Sequence, residues 1–158
     1  MKSFYCRQAV LADIPLLRGI WYDRMVLIVQ NTPMMHIHPH WSEQIEASLA
    51  DMIMREDRVI FVIENQTEMI KGYISVGIEN NLPGLAPGQI GFIDELCLDL
   101  HSEQAGLGKP LLTEAQNWLK AQGIALISVR IPAHQAVEQA FWRAIGAKKT
   151  HEWMWIRL

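Results

Sequence analysis

Gly106-Leu107-Gly108 is the stretch of this 158-residue chain whose residue types and spacing point most directly to chemistry. It follows an apolar run of strand length, Ile90 to Leu100, and a short polar connection, His101 to Ala105. It opens a segment, Lys109 to Gln122, that reads as a helix. A strand, a glycine-bearing turn and a helix start make a place to hold a phosphate. The first backbone N–H groups of a helix lack intrahelical partners, and glycines let a ligand come close to the main chain. A second cluster, His36, His38 and His40, alternates along NTPMMHIHPH so that the three rings share one side of an extended segment. Its sharp reading is a metal site. Its bland reading is a loop whose histidines face solvent or line a pocket. The bland reading is preferred, because no carboxylate or cysteine stands at metal-ligand spacing.

The elements that must position these groups follow from periodicity and punctuation. Phe4 to Ala9 reads as a first strand. Asp13 before Ile14-Pro15 signals a helix start, and the helix runs to about Val29 with Leu16, Leu17, Ile20, Trp21 and Leu27 apolar. The histidine-bearing segment breaks it. Ser42 serves as N-cap for a second helix, Glu43 to about Glu56. Arg58 to Glu64 and Met69 to Ile78 form a hairpin around Asn65–Glu68, with Gly72 and Gly77 marking a bulge or a close backbone approach. Glu79 to Gly88 is a loop before the opening stretch. Ile124 to Ile131 is a further strand, Ala133 to Ala144 a last helix capped by Gly146, and Lys148 to Leu158 a closing strand on which Trp153 and Trp155 alternate with Met154 and Ile156. Hairpins followed by strand–helix–strand units predict a mixed sheet with helices on both faces.

Composition limits the function classes. The length fits one domain, 1–158, with a real core. A formal charge of -3 gives no electrostatic footing for nucleic acid or an anionic membrane surface. No window reaches the roughly 18 apolar residues of a membrane span, and the N-terminus lacks the apolar run of a signal peptide. Cys6 and Cys97 lie far apart in apolar segments and read as reduced core thiols of a cytoplasmic protein.

This order of elements resembles the GNAT superfamily of acyl-CoA-dependent N-acyltransferases over nearly the whole chain. FIDELCLDLHSEQAGLGKPLL, Phe92 to Leu112, is similar to the family's fourth strand and acyl-CoA loop. There Gly106 and Gly108 match the usual Gln/Arg-x-x-Gly-x-Gly/Ala pattern, Glu103 occupies the Gln/Arg position and Gln104 comes one place late. Gln135 to Ala147 is similar to the family's Asn-containing segment that ends in Tyr-x-x-x-Gly-Phe; Gln135 stands where Asn is common, Trp142 where Tyr is common and Ala147 where Phe is common. Asp13 is a third, less specific point of likeness.

The resemblance implies an α/β (α+β) GNAT-like fold, with a mostly antiparallel sheet and a splayed central strand pair. It implies that Gln104, Ala105, Gly106, Leu107, Gly108 and Lys109 surround the phosphates of acetyl-CoA, the co-substrate. It likewise implies backbone contacts from Leu96, Cys97 and Leu98 to pantetheine and thioester, with Gln135 and Trp142 beside the cofactor. The needed groups are main-chain N–H, so Glu103 does not abolish binding, and Lys109 offsets its charge.

Acyl transfer to an amine requires removal of an amine proton and a donor to the oxyanion. Asp94 and Glu95 are the candidate bases, and as strand neighbours they face opposite sides unless a bulge intervenes. Trp142 cannot protonate a departing thiolate, because an indole N–H has no useful acidity. A coenzyme A thiolate is a tolerable leaving group near neutral pH, and Tyr22 and Tyr73 are substitute donors. His134 either contacts a ligand or caps the last helix. The expected function is transfer of an acetyl group from acetyl-CoA to a primary amine of a small molecule or peptide, with no metal. The alternative is a non-catalytic acyl-CoA-binding module. Met34, Met35 and Trp41 hint at an apolar acceptor portion, and the tryptophan-bearing C-terminus at a homodimer.

Overall fold

A computed structural model describes residues 4–101 and 106–158. Among them are strands β1 (Phe4–Gln8), β2 (Arg58–Asn65), β3 (Ile70–Asn80), β4 (Gln89–Leu98) and β5 (Ile127–Val129). The helices are α1 (Ile14–Gln30), α2 (Trp41–Met54), α3 (Gly108–Ala121) and α4 (Ala136–Ala144), with a short 3-10 turn at Leu11–Asp13. The strands form one sheet in the order β1-β2-β3-β4-β5, antiparallel except for the parallel β4–β5 pair. This is the mixed, mostly antiparallel sheet that the sequence predicts.

Within β2 the run Val59–Ile63 is apolar throughout because the strand is covered on both faces. Val59, Phe61 and Ile63 point into one cluster, with Leu111, Leu112, Ala115 and Leu119 of α3 and with Trp142 of α4. Ile60 and Val62 point into the other, with Leu17 of α1 and Leu49 of α2. A strand buried on both sides loses the alternation of a half-exposed one. The α3 positions recur at helical spacing and form its buried stripe. Gly72 fits the expected close backbone approach, since a Cβ there would lie 2.8 Å from the carbonyl oxygen of Cys97; Gly77 meets a side chain instead, its Cβ 3.1 Å from Arg58.

Several boundaries differ from expectation. Asp13 precedes α1, but its side chain does not cap the helix; it accepts from the Val10 N–H at 2.8 Å and takes both arms of Arg7 at 2.8 and 3.0 Å. Helix α2 begins at Trp41, one residue ahead of Ser42, and the Ser42 hydroxyl accepts from Arg18 instead of capping. The strand expected at Ile124–Ile131 narrows to three residues, since β4 is its only sheet neighbour among the described residues and that pairing stops at Ile93↔Val129. Residues 147–158 form no strand. Trp153 and Trp155 do share a side, stacked at 6.1 Å, but alternation without a ladder partner does not make a strand.

Candidate active site

The site is built around a β-bulge in β4. Opposite β3, Ser75 pairs with Glu95 and Val76 with Ile93, which leaves Asp94 as the extra residue. Ile93 belongs to the α3-side cluster, so plain alternation would turn Glu95 that way too. The bulge shifts the phase. Glu95 reaches the α1/α2 side with Cys97 and Tyr73, the Cys97 pair across the ladder. Asp94 reaches the same side, where it meets Arg58, a residue in phase with Ile60 and Val62 of the α1/α2 cluster.

The two acids have different surroundings. Arg58 Nη1 donates to Asp94 Oδ2 at 2.7 Å and Arg58 Nη2 to Glu79 at 3.2 Å. Burial lifts the Asp94 carboxyl above the usual aspartate range, and Arg58 opposes that shift. Glu95 is held by neutral donors. Trp21 Nε1 donates to Oε1 at 2.8 Å, Tyr73 Oη donates to Oε2 at 2.6 Å, and Cys97 Sγ lies 3.4 Å from Oε2. Among the described residues, no cation forms an ion pair with Glu95. Burial raises the Tyr73 phenol and the Cys97 thiol well above their ordinary values, so both stay protonated as donors. Cys97 is a packed thiol and not a nucleophile. One turn beyond Trp21, Arg24 donates to both carboxylate oxygens of Glu138 at 3.0 and 2.9 Å and so ties α1 to α4.

Beside the acids lies an open strand edge. β5 pairs only with Gly91, Phe92 and Ile93, so Asp94–Leu98 has no strand partner on that side among the described residues. The direction of each amide follows from alternation. Asp99 N–H donates to the Lys71 carbonyl of β3, hence Cys97 N–H also turns to β3, while those of Leu96 and Leu98 face the open edge. Next to this edge is the N-terminus of α3, whose first amides are those of Gly108 and Lys109. Gly106 has φ +69°, which favours glycine, and a Cβ on Gly108 would make a tight contact, 3.3 Å from the Phe141 ring of α4. Trp142 is buried and packs edge-on against Phe141 at 5.2 Å; its Nε1 has no hydrogen-bond partner. Such a donor is costly unless a ligand or water meets it.

Of the residues singled out from sequence, Asp94, Glu95, Leu96, Cys97, Leu98, Gly106, Leu107, Gly108, Lys109 and Trp142 thus lie on β4, at the start of α3 or in the adjoining α4. Gln135 is the N-cap of α4. Glu103, Gln104 and Ala105 lie outside the described residues. His36, His38, His40 and His134 are exposed, and no group of His, Cys, Asp or Glu able to hold a metal ion occurs among the described residues. Sequence reasoning missed Trp21 as a partner of Glu95, together with Arg24, Arg58 and Glu138. Trp21 read as one more apolar position of α1, and nothing in a helical stripe distinguishes an indole that packs from one that also donates.

The acetyltransferase (GNAT) family model matches residues 24–147. No curated protein matches the sequence. Among solved structures, a mutant of the BH1408 protein from Bacillus halodurans is similar at a TM-score of 0.88 and 16% identity, over 98% of this chain and 99% of that one. A predicted acetyltransferase from Clostridium acetobutylicum, solved with acetyl-CoA, is similar at 0.80 and 16%, over 98% and 96%. AAC(6')-Iy in complex with the bisubstrate analogue CoA-S-monomethyl-acetylneamine is similar at 0.78 and 15%, over 99% and 98%.

Proposed function

The chain belongs to the acetyltransferase (GNAT) family, and from that premise we propose that it transfers an acetyl group from acetyl-CoA to the primary amine of a small molecule or peptide, as one domain. The observation that carries this reading is the juxtaposition on β4. A carboxylate held, among the described residues, by neutral donors stands beside a strand edge that offers two amides with no strand partner among those residues. In the proposed reaction the amine nitrogen bonds to the thioester carbon, the C–S bond breaks, and coenzyme A leaves as thiolate.

Glu95 takes the amine proton, directly or through one water, or anchors the incoming amine. Asp94, committed to Arg58, helps hold the rim. Leu96 and Leu98 N–H bond pantetheine, and one of them faces the oxyanion; Cys97 supports them from the strand between. Leu107, Gly108 and Lys109 bind phosphate at the start of α3, with Gly106 shaping the turn and Gln104 and Ala105 completing it. Gln135 borders the cofactor, and Trp142 Nε1 donates to its sulfur end without giving up the proton. Calorimetric titration with acetyl-CoA tests the reading. A dissociation constant between about 1 µM and 1 mM is expected, and absence of heat at millimolar cofactor removes it.

The buried indole at position 142, in place of an ionisable group, favours a second reading: acyl-CoA binding without turnover. Thiol release with any amine sinks that one. The two free thiols fit the reducing cytoplasm, and no helix among the described residues is long and apolar enough to cross a membrane. The exposed Trp153, Met154, Trp155 and Ile156 supply a surface for a homodimer; sedimentation showing only monomer excludes it.

A further inference from the structure

The side chain that holds the proposed base also begins an aromatic stack. Trp21, whose Nε1 donates to Glu95, lies 5.8 Å from Trp41, centroid to centroid, at 15° between planes. Tyr22 stacks on the same Trp41 at 4.5 Å and 29°. The two α1 rings and the first residue of α2 thus form one platform. Trp21 and Trp41 are half-buried and Tyr22 is exposed. The connection leading into Trp41 carries Met34 and Met35, both exposed. An amine nitrogen within hydrogen-bond reach of Glu95, or one water away, has its first substituent atoms beside the Trp21 indole.

Charge limits what that substituent is. Four neighbouring carboxylates are already held by arginines: Asp94 and Glu79 share Arg58, Glu138 pairs with Arg24 and Glu46 with Arg18. Glu95 forms no ion pair among the described residues; Arg24 acts on it only through space, and its closest partners are the Trp21 indole and the Tyr73 phenol, in a mainly aromatic surround. Asp23 and Glu43, the other acids next to the stack in sequence, are exposed to solvent. A polyamine or aminoglycoside needs several spread carboxylates. One ammonium on an aromatic or bulky alkyl group needs one carboxylate and aromatic faces, where dispersion and cation–π attraction add.

We propose that the acceptor is a monoamine bearing an aromatic or bulky apolar group that packs on the Trp21–Trp41–Tyr22 platform. This rests on the acetyl-transfer reading and narrows it. The experiment is a kinetic comparison of 2-phenylethylamine, spermidine and neamine with acetyl-CoA by thiol release, alongside calorimetry of 2-phenylethylamine without cofactor. We expect kcat/KM for 2-phenylethylamine at least about tenfold above the other two, and about a tenfold rise in its KM in Trp41→Ala, with a smaller effect on kcat. Tyr22→Ala, a surface change that leaves the core intact, moves KM the same way, and Trp41→Phe restores most of the loss.

Preference for spermidine or neamine overturns the proposal while leaving acetyl transfer standing. An equal loss for all three amines in Trp41→Ala also overturns it. If no amine turns over, acetyl transfer fails instead; the platform then stands if 2-phenylethylamine binds and loses affinity in Tyr22→Ala, and falls if it does not bind.

Discussion

The two faces of the sheet contrast in what they bury. The α3 face is closed by aliphatic and aromatic side chains, from Val59 and Phe61 of β2 to Leu111, Ala115 and Leu119 of α3. Its one unpaired buried side-chain donor among the described residues is Trp142 Nε1, in α4. The α1/α2 face also has an apolar cluster, but polar groups are set into it. Ser75 is buried there opposite Glu95, with its hydroxyl unpartnered; Glu64 is buried where Arg7 reaches it at 3.0 Å. Glu95 accepts from two elements at once, α1 and β3. Burying polar groups gains little stability compared with apolar packing. Their concentration on one face marks where the chain gives up packing for chemistry, and the β4 bulge turns Glu95 to that face.

Substitutions on the two faces separate these roles. Leu111→Ala removes a fully buried side chain from the α3 face and is expected to cost about 2–5 kcal/mol. Chemical denaturation measures that loss, and specific activity per folded molecule stays near wild type; a collapse of activity in the folded fraction breaks the contrast. Glu95→Gln keeps the size, with its oxygen still accepting from Trp21 and its amide donating to a reversed Tyr73 hydroxyl, but removes the base. It is expected to lower kcat about 100-fold or more with the melting temperature little changed; unchanged kcat would move the chemistry elsewhere.

Smaller effects sharpen the polar side. Asp13→Asn is expected to cost about 1–3 kcal/mol at neutral pH, since it leaves Arg7 without its closest carboxylate. The hydrogen bond from Arg7 lowers the Asp13 pKa below its unfolded value. Its contribution is therefore full above the ordinary aspartate pKa of about 3.9 and fades as pH falls through the lower folded value. Melting curves of wild type and variant should converge in acid, and a constant gap contradicts the assignment. Tyr73→Phe deletes one donor to Glu95 and is expected to cost about 1 kcal/mol in stability, with a drop in kcat smaller than that of Glu95→Gln.

The order of elements and the glycine turn were legible because they follow local rules. β2 declares itself by its β-branched run, α3 by its stripe, and Gly106 by a positive φ that few other residues tolerate. The orientation of Asp94 and Glu95 was not legible. It depends on a register shift between two strands that leaves no mark in either alone, so alternation put the acids on opposite faces and the bulge put them on one. The partners Trp21 and Tyr73 come from 74 and 22 residues away. The C-terminal segment shows the converse case, in which a strand-like pattern was present but no ladder partner followed.

Amide hydrogen exchange along β4, with and without coenzyme A, tests the central claim most directly, because it reads the open edge itself. The Cys97 amide, turned to β3, is expected to be slow in both states. Those of Leu96 and Leu98 are expected to exchange faster in the free protein and to slow on saturation with coenzyme A. Unchanged exchange at Leu96 and Leu98, with the cofactor demonstrably bound, contradicts an acyl-CoA site built on the edge of β4.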